Sequence, residues 1–556
     1  MTTPYTARVT AAADETLAAL LDGAAPAIAH REVMRRIRTA AACALAPGSR
    51  WSGREEPILA AQQWLQQLHG LQAPSGLFTS GDNVDSPPDS SFTLNDLVLV
   101  CELLDGRTSS TGWAPVRQGL GDIAARAMDA VVGGGVHTPN HRWEISSALV
   151  GLARVTGQQR GLERARQWLA EGVDVDRDGV YSERSANYAA HVSNPSLLTL
   201  ASALGREDLR GIVHRALHTV IDLTDAGEVE TVLSRRQDQR EAFPTGPFAT
   251  QFRVFAVAGC PRCAAAARAA ETAPRFDPVE ALLHVLIDPS LAGELPEGVI
   301  EPVDRRFELG LWRRQDAERM LTVYGGSDVP AAGRVASGLA CNPTLLRMRH
   351  GAALLDSVRL SRDFFGLGPF RGRLAADPDG TAVLGEDLAT GYYQPLAEQH
   401  RRPDGAYPVE FEGRFAAAMA FSQRDSDEVR LSTRVRVREE DDGVSLEVGF
   451  SGADVPFALE LAFRPGGTLT GGRDLGGGAV ELVEGEATYR VGDEEIVVGP
   501  GNGTGADRPP VYHPGEAYTF LGGTDAVTGP RVYVTGRTSD DLVLTIRGRT
   551  VPRADR

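Results

Sequence analysis

The sequence predicts two parts, an N-terminal α/α toroid followed by a C-terminal antiparallel β-sandwich, and three observations carry that expectation. Apolar residues recur at helical spacing up to about residue 290. Beyond about residue 310 they alternate with a period of two. Between these regions, in "DPSLAGELPEGVIEPVD", Pro and Gly accumulate and both patterns lapse. The expected divisions are 1–290 for the toroid, 291–310 for a linker and 311–556 for the sandwich. A chain of 556 residues exceeds what one hydrophobic core usually serves, in keeping with two domains.

The helices come first. In "EEPILAAQQWLQQLHGL", "FTLNDLVLVCELLDG", "RGLERARQWLAEGV", "PSLLTLASALG" and "EDLRGIVHRALHTVIDL" the apolar stripes run i, i+3, i+4, i+7, with Gly or Asp near the ends. Serial helices with no strand between them indicate an all-helical array. No repeat of fixed length is visible, which favours a closed toroid over a solenoid. In the second half, "EVRLSTRVRVREEDDGVSLEVGF" alternates Val429, Leu431, Thr433, Val435 and Val437 with Arg430, Arg434, Arg436 and Arg438, then turns at Asp442-Gly443. That pattern is a β-hairpin with one wet face. "VPFALELAFRP", "ATYRVGDEEIVVGPG", "RVYVTGRT" and "LVLTIRGRT" continue it between Gly-rich turns, as a sandwich requires.

Composition restricts the partners. Hydrophobic residues at 42% and charged residues at 24% describe an ordinary globular chain. The 57 basic residues are all Arg, a bias that weakens any argument from Arg abundance. A formal charge of -17 argues against nucleic acid or an anionic membrane as the main partner, since both need a basic surface. The five cysteines fit a reducing compartment better than a disulfide framework. "CPRC" at 260–263 is a lone CxxC, expected to supply two small helix-packing residues rather than a metal or redox centre. No basic segment followed by a long apolar run opens the chain, so a cytoplasmic location is expected.

The residues able to do chemistry cluster in the helical part. In "VHTPNHRW", Thr138 suits an N-cap and Pro139 the first helical position, which puts Asn140 and His141 in the first turn. The positive end of the helix dipole favours a nearby anion and a neutral imidazole. A neutral His beside an anion-binding Asn is what proton abstraction next to a carboxylate needs. Downstream, "DRDGVYSERSANYAAHVSNPSLLTLA" carries Tyr188 and His191, three apart and so on one helical face. The DxDxDG run from Asp174 fails as a calcium loop because its twelfth position is Ser185. In "SRRQDQR", one of Arg235 and Arg236 can clamp a carboxylate, with Gln237 beside them.

The Asn-His pair in "PNHRW", followed by the Tyr of "DGVYSERSANYAAH", resembles the heparinase II/III-like polysaccharide lyases, especially the alginate and oligoalginate lyase branch. The resemblance implies an α/α toroid plus β-sandwich and β-elimination: removal of the C5 proton of a uronic acid and expulsion of the 4-oxygen. On it, Asn140 neutralises the carboxylate, His141 or Tyr188 takes the proton, and Tyr188 can return one to the leaving oxygen. Trp143, His191, Arg235, Arg236 and Gln237 are the expected substrate contacts, with His350, Tyr392 and Tyr393 contributed by the sandwich. No cofactor is required. Relatives hold a structural zinc in the sandwich, but "MRHGAALLDSVRLSRDFFG" departs from that pattern, so no metal ligands are assigned. The expected partner is a uronate-containing poly- or oligosaccharide, and the oligomeric state is left open. Two other readings stand beside this one. The first is an α/α-barrel glycoside hydrolase using acids such as Glu144, Asp178 and Glu183, and the second is a noncatalytic carbohydrate-binding protein of the same architecture.

Overall fold

The structure is a computed structural model that describes residues 3–23, 29–81, 83–105, 111–236, 238, 242–328, 342–412, 416–505 and 528–551. The chain divides into two compact units, Met1–Val229 with Phe243–Ile300, and Glu230–Ala242 with Glu301–Arg556.

The first unit is helical, and local chemistry sets its helix ends. Its helices are α1 (Pro4–Asp22), α2 (His30–Leu45), α3 (Glu56–Leu71), α4 (Pro87–Asp105), α5 (Ala114–Gly133), α6 (His141–Thr156) and α7 (Arg160–Leu169). They continue as α8 (Ala186–Tyr188), α9 (Asn194–Leu204), α10 (Glu207–Asp222), α11 (Ala249–Val257), α12 (Pro261–Ala270) and α13 (Pro278–Ile287). The Thr3 hydroxyl caps α1 by accepting from the Thr6 amide at 3.2 Å, with Pro4 inside the first turn. Asp277 caps α13 in the same way, accepting from the amides of Val279 and Glu280. At the other end, α6 stops at Gly157, whose φ of 76° is the left-handed conformation glycine adopts without penalty.

Half of these helices form a closed succession of neighbours. Helix α2 packs on α4, α4 on α6, α6 on α9, α11 on α13, and α13 back on α2. Helices α9 and α11 meet through Asn194 Nδ2, which donates to Gln251 Oε1 at 2.9 Å. The remaining long helices lie against this set: α1 on α13, α3 on α2, α5 on α4 and α6, α7 on α6, α10 on α9, and α12 on α11. Close approach fixes some residues. A Cβ on Gly151 would lie 2.6 Å from Val98 Cγ1, so the α4–α6 contact needs glycine there.

The second unit holds, among its described residues, an eight-stranded and a nine-stranded sheet. The expected hairpin is present: strand 426–440 pairs with 443–452, burying Leu431, Thr433, Val435 and Val437 and leaving Arg430, Arg434 and Arg438 exposed. Its turn falls one residue earlier than predicted, because Glu440 already pairs with Gly443. Gly443 serves a different purpose: a Cβ there would lie 1.9 Å from the Ile546 carbonyl oxygen of the adjoining strand. Leu355, Val358 and Leu360 of one sheet and Val435, Val437 and Leu446 of the other belong to a single buried cluster. Each such side chain contributes about 1.5–3 kcal/mol by leaving water. One pairing is parallel, strand 479–481 on 531–537.

The boundary differs from the expected one in two ways. Residues 303–307, placed in the linker, form a strand anchored by the buried Phe307 and paired with 311–315. Residues 230–242, read as part of the helical domain, belong to the second unit. The cause is an ion cluster: the buried Glu230 carboxylate accepts from Arg313 Nη1 at 3.2 Å, Thr322 Oγ1 at 3.0 Å and Arg347 Nη1 at 2.5 Å. Burial works to raise the Glu230 pKa, but Arg347 and Arg313 outweigh it and hold it at about 2.

A depressed carboxylate pKa contributes stability above its unfolded value and loses it as pH falls through the folded one. Glu230→Gln is therefore expected to cost the second unit about 3–5 kcal/mol at pH 7, since it removes the buried carboxylate that Arg313 and Arg347 share. The gap to wild type narrows as pH falls from about 4.5 toward 2. Urea unfolding at pH 7 and pH 4 checks this, and equal midpoints at pH 7 would contradict it.

Candidate active site

The N-terminus of α6 is built on a tight turn. The Pro139 carbonyl accepts from the Arg142 amide at 3.3 Å, and the helix starts at His141 with Asn140 as its cap residue. This is later than predicted. Thr138 does not cap the helix; its hydroxyl donates to Asn140 Oδ1 at 2.7 Å. Asn140 is 1% exposed, and its Nδ2 has no hydrogen-bond partner. Leaving a buried donor unpaired costs about 1–3 kcal/mol, so such a group marks a place where an acceptor belongs. His141 follows directly, its ring edge-on to that of His137 at 4.7 Å.

The loop after α7 is tied to this turn through Asp174, which accepts from Trp143 Nε1 and Arg142 Nη2, each at 3.0 Å, and from the Ser182 hydroxyl. Within the loop, Asp176 accepts from the Val180 amide at 2.8 Å. These bonds correct one assignment. Trp143 is fully buried and its indole N–H is spent on Asp174, so it is a core residue and not a substrate contact.

The loop leads into Tyr188 and His191. The Ser185 hydroxyl accepts from the Tyr188 amide at 3.1 Å and starts α8, which passes into a π-helical turn at Ala189–Ser193 before α9 begins. Single π-turns are wider than α-turns and recur at functional sites. Tyr188 is half-buried. His191 is exposed, yet its pKa is lowered to about 4, first by the protein around it and then by Arg275, with Arg35 adding to the effect and Asp277 opposing it. At neutral pH its imidazole is uncharged.

Two further polar residues lie in this region: Arg31, not singled out in the sequence, and Glu144, named there only as a candidate hydrolytic acid. Arg31 lies over the Phe92 ring at 3.8 Å and pairs with Asp89. Burial lowers its pKa, and its charge neighbours are Glu144, Arg35 and Tyr188. Glu144 is buried and accepts from Asn95 Nδ2 at 2.7 Å and Ser196 Oγ at 3.3 Å. Burial pushes its pKa up to about 7 against those hydrogen bonds and Arg31. A legible signal existed for α4: "PDSSFTLND" places Asp89, Ser90, Ser91, Thr93 and Asn95 on a helix with buried turns.

The remaining predicted residues lie in the second unit. Arg235 forms a bidentate pair with Asp328 at 2.7 and 2.8 Å, so the carboxylate its fork holds is the chain's own. Arg236 follows in the same turn, its amide donating to the Ser234 hydroxyl at 3.1 Å. Gln237 lies outside the described residues. His350 is 8% exposed and its Nε2 sits 3.2 Å from both Thr550 Oγ1 and Glu494 Oε2, so it ties strand 346–350 to the other sheet. Tyr392 is 66% exposed, while the Tyr393 hydroxyl donates to Glu412 at 3.3 Å.

No family model and no curated protein matches the sequence. Solved structures do match the fold. A heparinase III aligns with a TM-score of 0.53 at 13% identity over 95% of this chain and 79% of its own. A chondroitin AC lyase of Streptomyces coelicolor aligns at 0.52 and 13% identity, over 98% and 79%. A Paenibacillus xanthan lyase aligns at 0.54 and 10% identity, over 98% of this chain and 56% of its own. The chain has a polysaccharide-lyase fold. Among its described residues, no helix is long and apolar enough to cross a membrane.

Of the acids considered for hydrolysis, Glu144 is 3% and Glu183 7% exposed, while Asp178 is half-buried. Burial of Glu144 also bears on stability. A carboxyl with a raised folded pKa is neutral in the native state while the unfolded chain ionises, so stability falls as pH rises from about 4.5 to about 7, by at most about 1.4 kcal/mol per unit. Glu144→Gln keeps the acceptor for Asn95 and removes the ionisation. Thermal melts from pH 5 to pH 8 should show the variant gaining on wild type with pH; a constant difference would contradict the assignment.

Proposed function

We propose that the protein is a polysaccharide lyase that cleaves a uronate-containing poly- or oligosaccharide by β-elimination, its first unit being an α/α toroid and its second a β-sandwich. The observation that carries this reading is the unpartnered amide donor of Asn140, set at the N-terminus of α6 beside His141, on a fold shared with solved polysaccharide lyases. The C5 proton of a uronate is weakly acidic because the carbanion places a second negative charge beside the carboxylate. A donor that hydrogen-bonds the carboxylate spreads that charge and stabilises the transition state. Asn140 Nδ2 is the donor and the positive end of α6 adds to its effect. The role requires the buried Asn140 side chain to become accessible when substrate binds.

Proton transfer falls to His141 and Tyr188. One takes the C5 proton, the electron pair forms the C4–C5 double bond, and the 4-oxygen leaves with a proton that Tyr188 supplies. The configuration of the uronate at C5 decides which of the two is the base. His191, neutral and solvent-reached, contacts the sugar without adding charge. Arg31 counts Tyr188 among its charge neighbours. The Asn-His and Tyr motifs point toward the alginate-cleaving branch, while the solved neighbours are named for heparin, chondroitin and xanthan. What these substrates share is a uronate, so the proposal is made at that level.

The test is a panel of uronate-containing polysaccharides and their oligosaccharides, followed by the ultraviolet absorbance of the unsaturated uronate. Turnover should raise that absorbance, and Tyr188→Phe and Asn140→Ala should each lower kcat by about 10²-fold or more with circular dichroism unchanged. Variants as active as wild type would remove these residues from the mechanism.

A further inference from the structure

The CxxC pair, expected to be packing residues, has partners that its local sequence does not show. Cys260 is the cap residue of α12, its sulfur accepting from the Cys263 amide at 3.5 Å, and both thiols are free. Facing them is α10, which carries His214 and His218 one turn apart on the same face. His218 Nε2 lies 3.3 Å from Cys260 Sγ, and the two imidazole rings meet at 4.4 Å and 66°. One ligand atom from each of the four residues lies within 4.8 Å of all the others. In a tetrahedral zinc site the ligand atoms stand about 3.3–3.8 Å apart, a spacing fixed by zinc–nitrogen and zinc–sulfur distances.

A second observation points to a ligand. His214 Nε2 is buried and has no hydrogen-bond partner, while its ring is held flat against Phe255 at 4.6 Å and 11°. A ring fixed by stacking, with a buried nitrogen that no protein group satisfies, is a preformed donor.

We propose that His214, His218, Cys260 and Cys263 bind one zinc ion in a closed tetrahedral Cys2His2 site within the first unit. Two thiolates and two imidazoles select zinc over harder divalent ions. All four positions are filled by the protein, so the ion is structural: it pins the start of α12 to α10. The site involves none of the residues assigned to elimination, and the inference stands whatever the chain's substrate is.

Two measurements test it. Protein purified under reducing conditions and passed through chelator-treated buffer should carry one zinc ion per chain by elemental analysis, and the Cys260→Ser/Cys263→Ser double variant should carry none. The wild-type chain, stripped of metal and titrated with cobalt(II), should develop the visible bands of a tetrahedral ion and a thiolate-to-cobalt charge-transfer band, both abolished by added zinc. The cobalt titration decides the matter even if the double variant fails to fold. Reduced wild-type protein that takes up neither zinc nor cobalt would overturn the proposal, as would zinc retained in full by a folded double variant.

Discussion

The inner helices of the first unit bury polar side chains, and each buried donor or acceptor must find a partner or be kept unpaired for a reason. Glu144 meets this demand by taking hydrogen bonds from Asn95 on α4 and Ser196 on α9, which joins three helices at one carboxyl. Asn194 and Gln251 do the same for α9 and α11. Asp174 fastens the loop before Tyr188 to the start of α6 through Arg142 and Trp143. The buried amide of Asn140 has no such partner and can serve as a donor to an incoming acceptor. The π-turn that follows Tyr188 belongs to the same stretch of chain, so the rigid frame and the irregular backbone lie together there.

Much of the fold was legible because it is written in local periods. The hairpin at 426–452 buries its apolar residues on one face and turns its arginines to water, as a period of two demands. The helices end at the Gly and Asp positions that cap them. Contacts over long separations were not legible. Glu230 draws its segment into the second unit by pairing with Arg313 and Arg347, and nothing near residue 230 announces those partners. The same blindness hid the histidines of α10 that face the CxxC pair.

At the site, the chemistry-bearing types were legible and their orientations were not. Asn140, His141, Tyr188 and His191 were singled out by residue type and spacing. Trp143, Arg235 and His350 looked equally suitable, but each bonds to the chain itself: the Trp143 indole to Asp174, the Arg235 fork to Asp328, and His350 Nε2 to Thr550 and Glu494. Arg31 went unremarked in an Arg-rich chain, where one guanidinium more carries no signal until it is found beside Tyr188.

The central claim is that this chain breaks a glycosidic linkage by elimination and not by water. The most direct measurement is the mass balance of one cleavage: a uronate oligosaccharide of defined length is digested and every product weighed by mass spectrometry. Elimination predicts products whose masses sum to that of the substrate, with the unsaturated fragment lighter by one water than its saturated counterpart. Products that together weigh one water more than the substrate would establish hydrolysis and contradict the account.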